Sequence, residues 1–378
     1  SPVRVNWNCP SQIGLNNNYE NIKNIFHKYI NSPYNDIKLF QSNFFDPLSI
    51  TINGIKKPGF YVDHHISHAY YAGYYSLNDT LVATLDGGTD IAPFIPGGVY
   101  WFTKTNGVLP ISSHRLPLGA IYDAIASNFG LDSGKLMGLS SYAYPNELID
   151  ETLQLFKNMY QSGKDIPEHF IAEKIKLTAC LSNDRFIDRN NSDKFKFKFN
   201  DKDFAIQTAA NTQYFVQEAY ISIIGRFCAT ICEVIPSLNT IYTTGGFSLN
   251  CPTNTLLNQI YPRLDFIPLP GIGDTGLSIG AAAAICYFLD IKLSASNHNP
   301  AFPPSSLNSS IKGNYFNKLV KVKDNETEIK NFLTEKLLEG KIICRHSKRS
   351  EVGPRALGRR SIIAWAGNEM IRDTINQK

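Results

Sequence analysis

The sequence predicts an α/β fold, and three segments carry this prediction. The apolar run TLVATLD at 80–86 ends at a pair of glycines, as a buried strand ends at a turn. A second run, NTIYTTGG at 239–246, also ends at a glycine turn. The small-residue segment TGLSIGAAAAICYF at 275–288 follows Asp274, a residue type that starts helices. Strands alternate with turns and helices in this way in α/β domains.

The other elements before residue 294 follow in chain order. Residues 1–60 are rich in Asn and Tyr and have only a weak helical pattern, so they are left unassigned. The segment GGVYWFTKTNGVLPIS predicts two strands joined at Asn106-Gly107. Apolar residues recur at helical spacing through much of 120–235, and the polar insert 182–201 interrupts them as an exposed excursion.

A linker is predicted at 294–312, where Ser, Pro and Asn are dense and no periodicity is present. A second domain is therefore expected at 313–378. Its predicted elements are an amphipathic helix ended by Gly340, the strand KIICRH and the basic loop SKRSEVGPRALGRR. The chain starts without Met and stops just after this patterned stretch, so we expect both ends to be cut.

The composition argues against several classes of protein. The net charge of +4, from 37 basic and 33 acidic side chains, is too small an excess to predict nucleic-acid binding. Seven cysteines are scattered without a C-x-x-C pair, which argues against a disulfide framework or a zinc finger and favours a reducing, cytoplasmic location. The longest apolar run, around 280–289, is too short to cross a bilayer, so no membrane association is expected.

Three of the eight histidines lie in the segment DHHISHAYYAG, which starts at Asp63. His64 and His68 are four residues apart, the spacing that places two imidazoles on one face of a helix. Such a pair can bind a divalent first-row metal, and added carboxylates leave positions open for a substrate oxygen. The same spacing suits histidines that cap and pack the start of a helix, and spacing alone does not separate the two roles.

Two aspartates at the ends of predicted elements favour a site. Asp86 closes the strand TLVATLD and Asp274 opens a helix after PGIG, so both can project from the end of a sheet into one crevice. Taken singly, Asp86 is also an ordinary turn residue and Asp274 an ordinary helix cap. Only their coincidence with the histidine pair favours a site.

A glycine turn, Gly245-Gly246, lies between a predicted strand and a helix. The missing Cβ atoms let a nucleotide approach the backbone there, although any tight turn of this kind can use two glycines. Asn250 and Asn254 add amide groups at the start of the helix, where they are also good caps. Lys135, in GKLMGLSS, is either a catalytic candidate or a solvated loop lysine.

Four strings agree in order and in kind with one family. They are DHHISHAYYAG, GKLMGLSSYA, TTGGFSLNCPTN with GDTGLSIGAAAA, and EVGPRALGRRSIIA. From about residue 61 to its end, the chain resembles the NodU/CmcH O-carbamoyltransferases, which act on Nod factors and on aminoglycoside, cephalosporin and novobiocin-type antibiotics. The string GPRALG with R-S-I after it is highly specific, whereas the glycine turn alone is not.

The resemblance implies an actin/Hsp70/sugar-kinase-like (Kae1-like) duplicated α/β domain at 1–293, followed by the start of a YrdC-like α/β domain at 313–378. In this family, the YrdC-like domain makes carbamoyl adenylate from carbamoyl phosphate and ATP. The Kae1-like domain then transfers the carbamoyl group to a substrate hydroxyl. The first strand and loop of the Kae1-like domain and most of the YrdC-like domain are expected to be missing from this sequence.

The resemblance also implies roles for particular residues. It implies a divalent metal, iron(II), with Mg²⁺ as a companion of ATP. The ligands of the divalent metal would be His64, His68, Asp86 and Asp274. Asp90 is an alternative to Asp86 in this set. The two histidines and Lys135 are then catalytic. The carbamoyl adenylate would be bound by Gly245, Gly246, Asn250 and Asp274. The carbamoyl phosphate and ATP site of the C-terminal domain would contain Arg345, Arg349, Glu351, Arg355 and Ser361.

The residue types in the arginine-rich loop of the C-terminal domain are suited to binding phosphate groups. Arginine forks bind phosphate oxygens bidentately, and the embedded Ala356-Leu357 and the Gly-Pro turn favour a folded pocket. A bare basic stretch would otherwise indicate a solvated loop or an RNA patch. Lys348 stands where the family commonly has Gly, and Arg359 where it commonly has Asn.

The predicted function is ATP-dependent O-carbamoylation of a small molecule that carries a hydroxyl group. The acceptor is expected to be a sugar, glycan or antibiotic-like compound. A homodimer is a possible state of the enzyme. Modification of tRNA by threonylcarbamoylation uses related folds, but usually as separate polypeptides. Hydrogenase-maturation carbamoyltransferases carry paired C-x-x-C motifs that are absent here. A sugar kinase and a non-catalytic nucleotide-binding member of the family are further alternatives.

Overall fold

The structure is a computed structural model, and it describes residues 19–76, 78–87, 97–164, 166–181, 201–291, 325–346, 356, 360–367 and 370–377. The chain divides into two compact units, Ser1–Ser294 and Ala295–Lys378. The predicted linker at 294–312 lies outside the described residues, and so does most of the predicted polar insert at 182–201. The assignment of Kae1-like and YrdC-like domains to the two parts of the chain stays a prediction.

The first unit alternates helices and strands, which confirms the predicted α/β class. Its strands are β1 (Phe45–Ile52), β2 (Ile55–Val62), β3 (Thr80–Leu85), β4 (Gly97–Thr103), β5 (Gly107–His114), β6 (Thr240–Thr244) and β7 (Asp265–Pro268). Its helices are α1 (Tyr19–Asn31), α2 (Tyr34–Gln41), α3 (His64–Tyr75), α4 (Leu118–Asn128), α5 (Ser133–Ser140), α6 (Ile149–Gln161), α7 (Glu168–Leu181), α8 (Lys202–Val234), α9 (Cys251–Ile260) and α10 (Leu277–Phe288).

A five-stranded mixed sheet with the order β5-β4-β3-β6-β7 is the centre of this unit. β3 is antiparallel to β4 and parallel to β6, and β6 is parallel to β7. The predicted hairpin of β4 and β5 is confirmed, with Gly107 at a φ of 71°. Because β3 and β6 are parallel neighbours, Asp86 and Gly245, which follow them, lie at the same edge of the sheet.

Apolar side chains cover both faces of the sheet. All six residues of β3 are buried, and they alternate between the two faces. Leu81 and Leu85 belong to a core that includes residues of α4 and α8, whereas Val82 belongs to a core with residues of α3 and α10. The central strand is therefore held between two layers of helices, which explains its continuous apolar run.

Residues 19–62 form structure that the sequence pattern left unassigned, although the weak helical pattern in this region lies within α1. Helices α1 and α2 precede a two-stranded hairpin of β1 and β2, which lies outside the five-stranded sheet. Asn53 and Gly54 form its turn with φ angles of 51° and 80°. Positive φ at both central residues is the conformation for which an Asn-Gly turn is favoured, so this pair was a usable hairpin signal.

The long helix α8 is the one element among the described residues with the length and apolar composition to cross a membrane. Within its most apolar window, 67% of the helix is buried inside the protein. A π-helical turn at Ile221–Gly225 interrupts it. Burial in the core accounts for its apolar character, as in many helices of globular domains.

Helix α3, which carries the histidines, packs very closely against α10. A Cβ atom added to Gly280 would lie 1.8 Å from the carbonyl oxygen of Ser67. A Cβ added to Gly276, just before α10, would lie 3.0 Å from the ring of Tyr71. The small residues of α10 are thus needed for the close approach of its backbone to α3.

Gly280→Ala is expected to lower the free energy of unfolding by about 2–3 kcal/mol, because the added methyl group meets a backbone atom that cannot rotate away. Gly138→Ala is the matched control, since Gly138 is also helical but has no heavy atom within 4 Å of an added Cβ. That change should raise stability, by up to about 1 kcal/mol. Urea unfolding of both variants measures the difference, and equal stability would contradict the proposed contact.

The second unit contains α11 (Glu326–Leu338), β8 (Ile343–His346), β9 (Arg360–Ile363) and α12 (Met370–Gln377) among its described residues. The predicted helix and the predicted strand KIICRH are confirmed. Gly340 follows the helix with a φ of 71°, as a helix-ending glycine does. β8 and β9 pair antiparallel, which brings the residues on either side of the basic loop together.

Candidate metal centre

The start of α3 sets the direction of the two histidines. The side chain of Asp63 caps the helix by accepting a hydrogen bond of 3.0 Å from the backbone N–H of Ile66. The helix therefore begins at His64, and His68 lies one turn further along on the same face. Both rings turn their Nε2 atoms towards Asp86, which follows strand β3.

Asp86 and Asp274 complete a compact cluster of four side chains. Asp86 Oδ2 lies 3.0 Å from Nε2 of His64 and 3.0 Å from Nε2 of His68. Asp274 Oδ1 lies 3.8 Å and 3.7 Å from the same two nitrogens. One ligand atom from each residue lies within 4.8 Å of the others. The structure thus brings together the four residues that the sequence predicted as metal ligands.

The cluster is closed on one side and open on the other. The side chain of His68 is 1% exposed, and that of Asp86 is 16% exposed. The side chain of His64 is 23% exposed, whereas that of Asp274 is 72% exposed. A ligand can therefore approach from the side of Asp274, while His68 forms the buried floor.

The histidines and Asp86 shift each other's protonation. Burial acts to raise the pKa of Asp86, but its contacts with the imidazoles of His64 and His68 outweigh burial and hold this pKa well below its usual range. Burial acts to lower the pKa of His64, but the hydrogen bond and charge of Asp86, with the charge of Asp274, leave it raised. Asp86 is consequently a carboxylate anion at neutral pH, the form that binds a cation.

A divalent cation fits this set of donors. Two imidazole nitrogens with carboxylate oxygens are ligands of first-row metals such as iron(II), manganese and zinc. The two nitrogens converge on one oxygen of Asp86, and a carboxylate of high exposure lies beside them. Such an arrangement leaves positions open on the exposed side for a substrate oxygen.

His65 is the neighbour that does not take part. Its ring is buried, and neither of its nitrogens has a hydrogen-bond partner among the described residues. Burial, together with the nearby His64 and His68, lowers its pKa well below the ordinary value, so the ring is neutral. This agrees with its position off the face that His64 and His68 share.

Thr244 is a site residue that the sequence pattern did not single out. Its hydroxyl lies 3.3 Å from Nδ1 of His68 and 3.2 Å from the carbonyl oxygen of Ile272. In the parallel register of β3 and β6, Thr244 is the partner of Thr84. Thr84 lies two residues before Asp86, so Thr244 is on the face of the sheet from which Asp86 projects. Strand alternation through the string TTGG could have indicated this position.

The glycine turn packs directly against this centre. Gly245 has a φ of 95°, and a Cβ added to it would lie 2.2 Å from the carbonyl oxygen of Leu85. A Cβ added to Gly246 would lie 2.9 Å from Oδ1 of Asp86. Both glycines are thus required by the close approach of the backbone, and a nucleotide bound at this turn would lie beside the four-residue cluster.

The side chain of Asn250 makes hydrogen bonds within the protein. Its Oδ1 accepts hydrogen bonds from the backbone N–H of Thr253 at 3.1 Å and from the side-chain amide of Gln213 at 2.9 Å. Its amide group donates to Gln213 in turn, at 3.1 Å. The structure therefore gives Asn250 the role of a buried cap of α9, and a role in nucleotide binding stays a prediction.

Three further predicted site residues lie among the described residues, namely Lys135, Arg345 and Ser361. Lys135 pairs with Asp132 at 2.8 Å, and 70% of its side chain is exposed, so its catalytic role stays a prediction. In the second unit, Arg345 and Ser361 stand directly opposite each other on β8 and β9, on the same face of the hairpin. Four predicted residues lie outside the described residues: Asp90, Arg349, Glu351 and Arg355.

Comparison with known proteins assigns the chain to a family. Residues 24–283 match the family described as Carbamoyltransferase N-terminus, and residues 334–378 match Carbamoyltransferase C-terminus. A solved structure, HypF from T. kodakarensis, overlaps 61% of this chain and 37% of its own, with 14% identity and a TM-score of 0.31. That likeness is too loose to bear on function.

Curated relatives match along most of the chain. The uncharacterized protein MJ1051 of Methanocaldococcus jannaschii is 27% identical over 350 residues, which are 86% of this chain and 60% of that protein. The nodulation protein NolNO of Sinorhizobium fredii is 25% identical over 329 residues, which are 84% of this chain and 45% of that protein. The chain spans about half the length of the curated relatives it matches. With both family regions matched in order, the chain belongs to the carbamoyltransferase family.

Proposed function

We propose that this protein is an ATP-dependent O-carbamoyltransferase that transfers a carbamoyl group from carbamoyl adenylate to a hydroxyl group. The observation that carries this proposal is the position of the four-residue cluster beside the glycine turn, with Gly246 against Asp86. Bound nucleotide and bound metal would then be neighbours, as this transfer requires. Carbamoyltransferase membership and the likeness to the nodulation protein NolNO support this assignment.

The proposed reaction balances without a covalent enzyme intermediate. Carbamoyl phosphate, ATP and water would give carbamoyl adenylate, pyrophosphate and phosphate. The acceptor oxygen then bonds to the carbamoyl carbon, the bond from that carbon to the phosphate oxygen of AMP breaks, and the hydroxyl proton is released. The products are the carbamoylated acceptor and AMP.

The residues of the centre would contribute by holding and orienting the reactants. A metal held by His64, His68, Asp86 and Asp274, which we propose is iron(II), would supply Lewis-acid polarisation of the carbamoyl oxygen. The buried side of the cluster, formed by His68 and Asp86, keeps water from that face. The exposed side at Asp274 leaves room for an acceptor to approach.

The acceptor is proposed to be a sugar, glycan or antibiotic-like molecule. This is the acceptor class implied by the NodU/CmcH resemblance, and NolNO is named as a nodulation protein. Acceptor pockets are built from variable side chains around a shared transfer site, so the class is proposed but no single compound. For the adenylate-forming step, Arg345 and Ser361 are the proposed phosphate contacts among the described residues.

The test supplies preformed carbamoyl adenylate, labelled in the carbamoyl carbon, to the protein with Fe²⁺ and a panel of hydroxyl-bearing sugars. We expect labelled carbamate ester on at least one acceptor and one AMP for each ester formed. A parallel reaction with carbamoyl phosphate and ATP tests the adenylate-forming step separately, through release of pyrophosphate. Phosphorylated acceptor instead of carbamoylated acceptor, or no AMP above the rate without protein, would overturn the proposal.

A further inference from the structure

Thr244 links two of the four cluster residues through one buried hydroxyl group. Thr244 is the last residue of β6, and both it and His68 are fully buried. Its Oγ1 contacts Nδ1 of His68 at 3.3 Å and the carbonyl oxygen of Ile272 at 3.2 Å. Ile272 lies two residues before Asp274, and its carbonyl also accepts a hydrogen bond of 2.8 Å from the N–H of Gly245.

The two contacts of Thr244 fix the direction of its hydroxyl proton. A carbonyl oxygen can only accept a hydrogen bond, so the hydroxyl of Thr244 donates to Ile272. With its one proton used, the hydroxyl can only accept from His68, which means that Nδ1 of His68 carries a hydrogen. With its hydrogen on Nδ1, the ring can offer the lone pair of Nε2 to a cation in the centre, where Nε2 lies 3.0 Å from Asp86 Oδ2.

That lone pair faces an acceptor oxygen, which is unfavourable unless a positive charge lies between them. A carboxylate oxygen and an unprotonated imidazole nitrogen have no hydrogen to share. A cation in the centre would bind both atoms. The hydrogen bond that Nδ1 of His68 donates to Thr244 therefore favours a cation at Nε2 over an arrangement in which Nε2 donates to Asp86.

We propose that Thr244 is a positioning residue for the metal centre. It holds His68 in the tautomer that binds metal through Nε2, and through Ile272 it holds the segment that carries Asp274. This proposal rests on the proposed function, since it requires a divalent cation at the cluster. Partners of this kind orient ligand histidines, and their loss typically weakens metal binding by roughly 10–100-fold.

The neighbouring residue Thr243 provides a matched control. Thr243 is on the same strand and is also fully buried, but its hydroxyl has no hydrogen-bond partner among the described residues. Thr→Val at either position removes one hydroxyl and keeps the shape of a β-branched side chain. The two variants therefore differ in one respect, the contact with His68 and Ile272.

The experiment measures Mn²⁺ affinity of wild type, Thr244→Val, Thr244→Ser and Thr243→Val, because Mn²⁺ avoids the seven cysteine thiols of the chain. We expect Thr244→Val to weaken binding by roughly 10–100-fold, Thr244→Ser to retain most of it and Thr243→Val to match wild type. Thermal unfolding of the metal-free proteins controls for folding. Equal affinity of Thr244→Val and wild type overturns the positioning role.

A second measurement needs no variant of Thr244. Nitrogen NMR of histidine-labelled wild type with Zn²⁺ should show His68 protonated at Nδ1 and metal-bound at Nε2, with His68→Gln identifying its signal. Zn²⁺ bound through Nδ1 would overturn the proposal while leaving the metal centre intact. Failure of wild type to bind either metal would overturn the metal centre itself, so the two failures are distinguishable.

Discussion

His68→Ala is expected to abolish stoichiometric metal binding and to slow carbamoyl transfer by roughly 10³-fold or more. His68 forms the buried floor of the cluster, and a small apolar side chain there leaves Asp86 without one of the two imidazoles that contact its Oδ2. Loss of a ligand should cost more than the roughly 10–100-fold typical of an outer partner. Polarisation by a metal contributes several kcal/mol to such reactions, and each 1.4 kcal/mol changes the rate about tenfold.

His65→Leu is the control for this experiment. His65 is adjacent and equally buried, but its nitrogens have no partner among the described residues. A leucine of similar volume should leave the metal content near wild type. Metal content by mass spectrometry and transfer from labelled carbamoyl adenylate give the two readouts. A His68→Ala protein that keeps one metal ion per chain, or a His65→Leu protein that loses it, would contradict the assignment of ligands.

Gly245→Ala is expected to have the largest effect on folding, a loss of about 4 kcal/mol in the free energy of unfolding. Part of the loss is the positive φ of 95°, which an alanine adopts only with strain of about 1–3 kcal/mol. The rest is the contact with the carbonyl oxygen of Leu85, 2.2 Å from the added Cβ, since overpacking costs about 1–3 kcal/mol. The turn would also move, so affinity for an adenylate should fall.

Gly54→Ala separates these two causes. Gly54 also has a positive φ, of 80°, but no heavy atom lies within 4 Å of an added Cβ. Its cost should therefore be that of backbone strain alone, on the order of 1 kcal/mol. Urea unfolding compares the two variants, and adenylate affinity is measured on whichever remains folded. Equal losses at Gly245 and Gly54 would show that the contact with Leu85 does not matter.

The central sheet could be predicted because its signals are local. A buried strand such as β3 is a continuous apolar run, and the turn at Asn106-Gly107 joins two such runs. The β1 and β2 hairpin was not predicted. Apolar and polar residues do alternate from Leu48 to Ile52, but six of the eight residues of β1 are exposed, so this alternation does not mark a buried face. Strand order could not be read from the sequence either, since it depends on contacts between distant segments.

Residue type and position at element ends made the members of the cluster candidates, and the family resemblance then implied the full ligand set. His64, His68, Asp86 and Asp274 meet because α3 begins at His64 and because β3 ends just before Asp86. Asn250 was ambiguous, as an amide at a helix start serves equally as a cap and as a ligand. Thr244 was missed because a threonine in a strand looks like any other, and its partner Ile272 is 28 residues away.

The close approach of Gly280 to Ser67 makes one side of the four-residue cluster more rigid than the other. With the backbones of α3 and α10 pressed together, the two imidazoles have a rigid support and little freedom to shift. Asp274 differs, because it lies on a short 3₁₀ turn and most of its side chain is in solvent. Under the proposed function, adjustment to a larger or smaller acceptor is therefore expected on the exposed side of the cluster, around Asp274, while the packing of α3 on α10 stays unchanged.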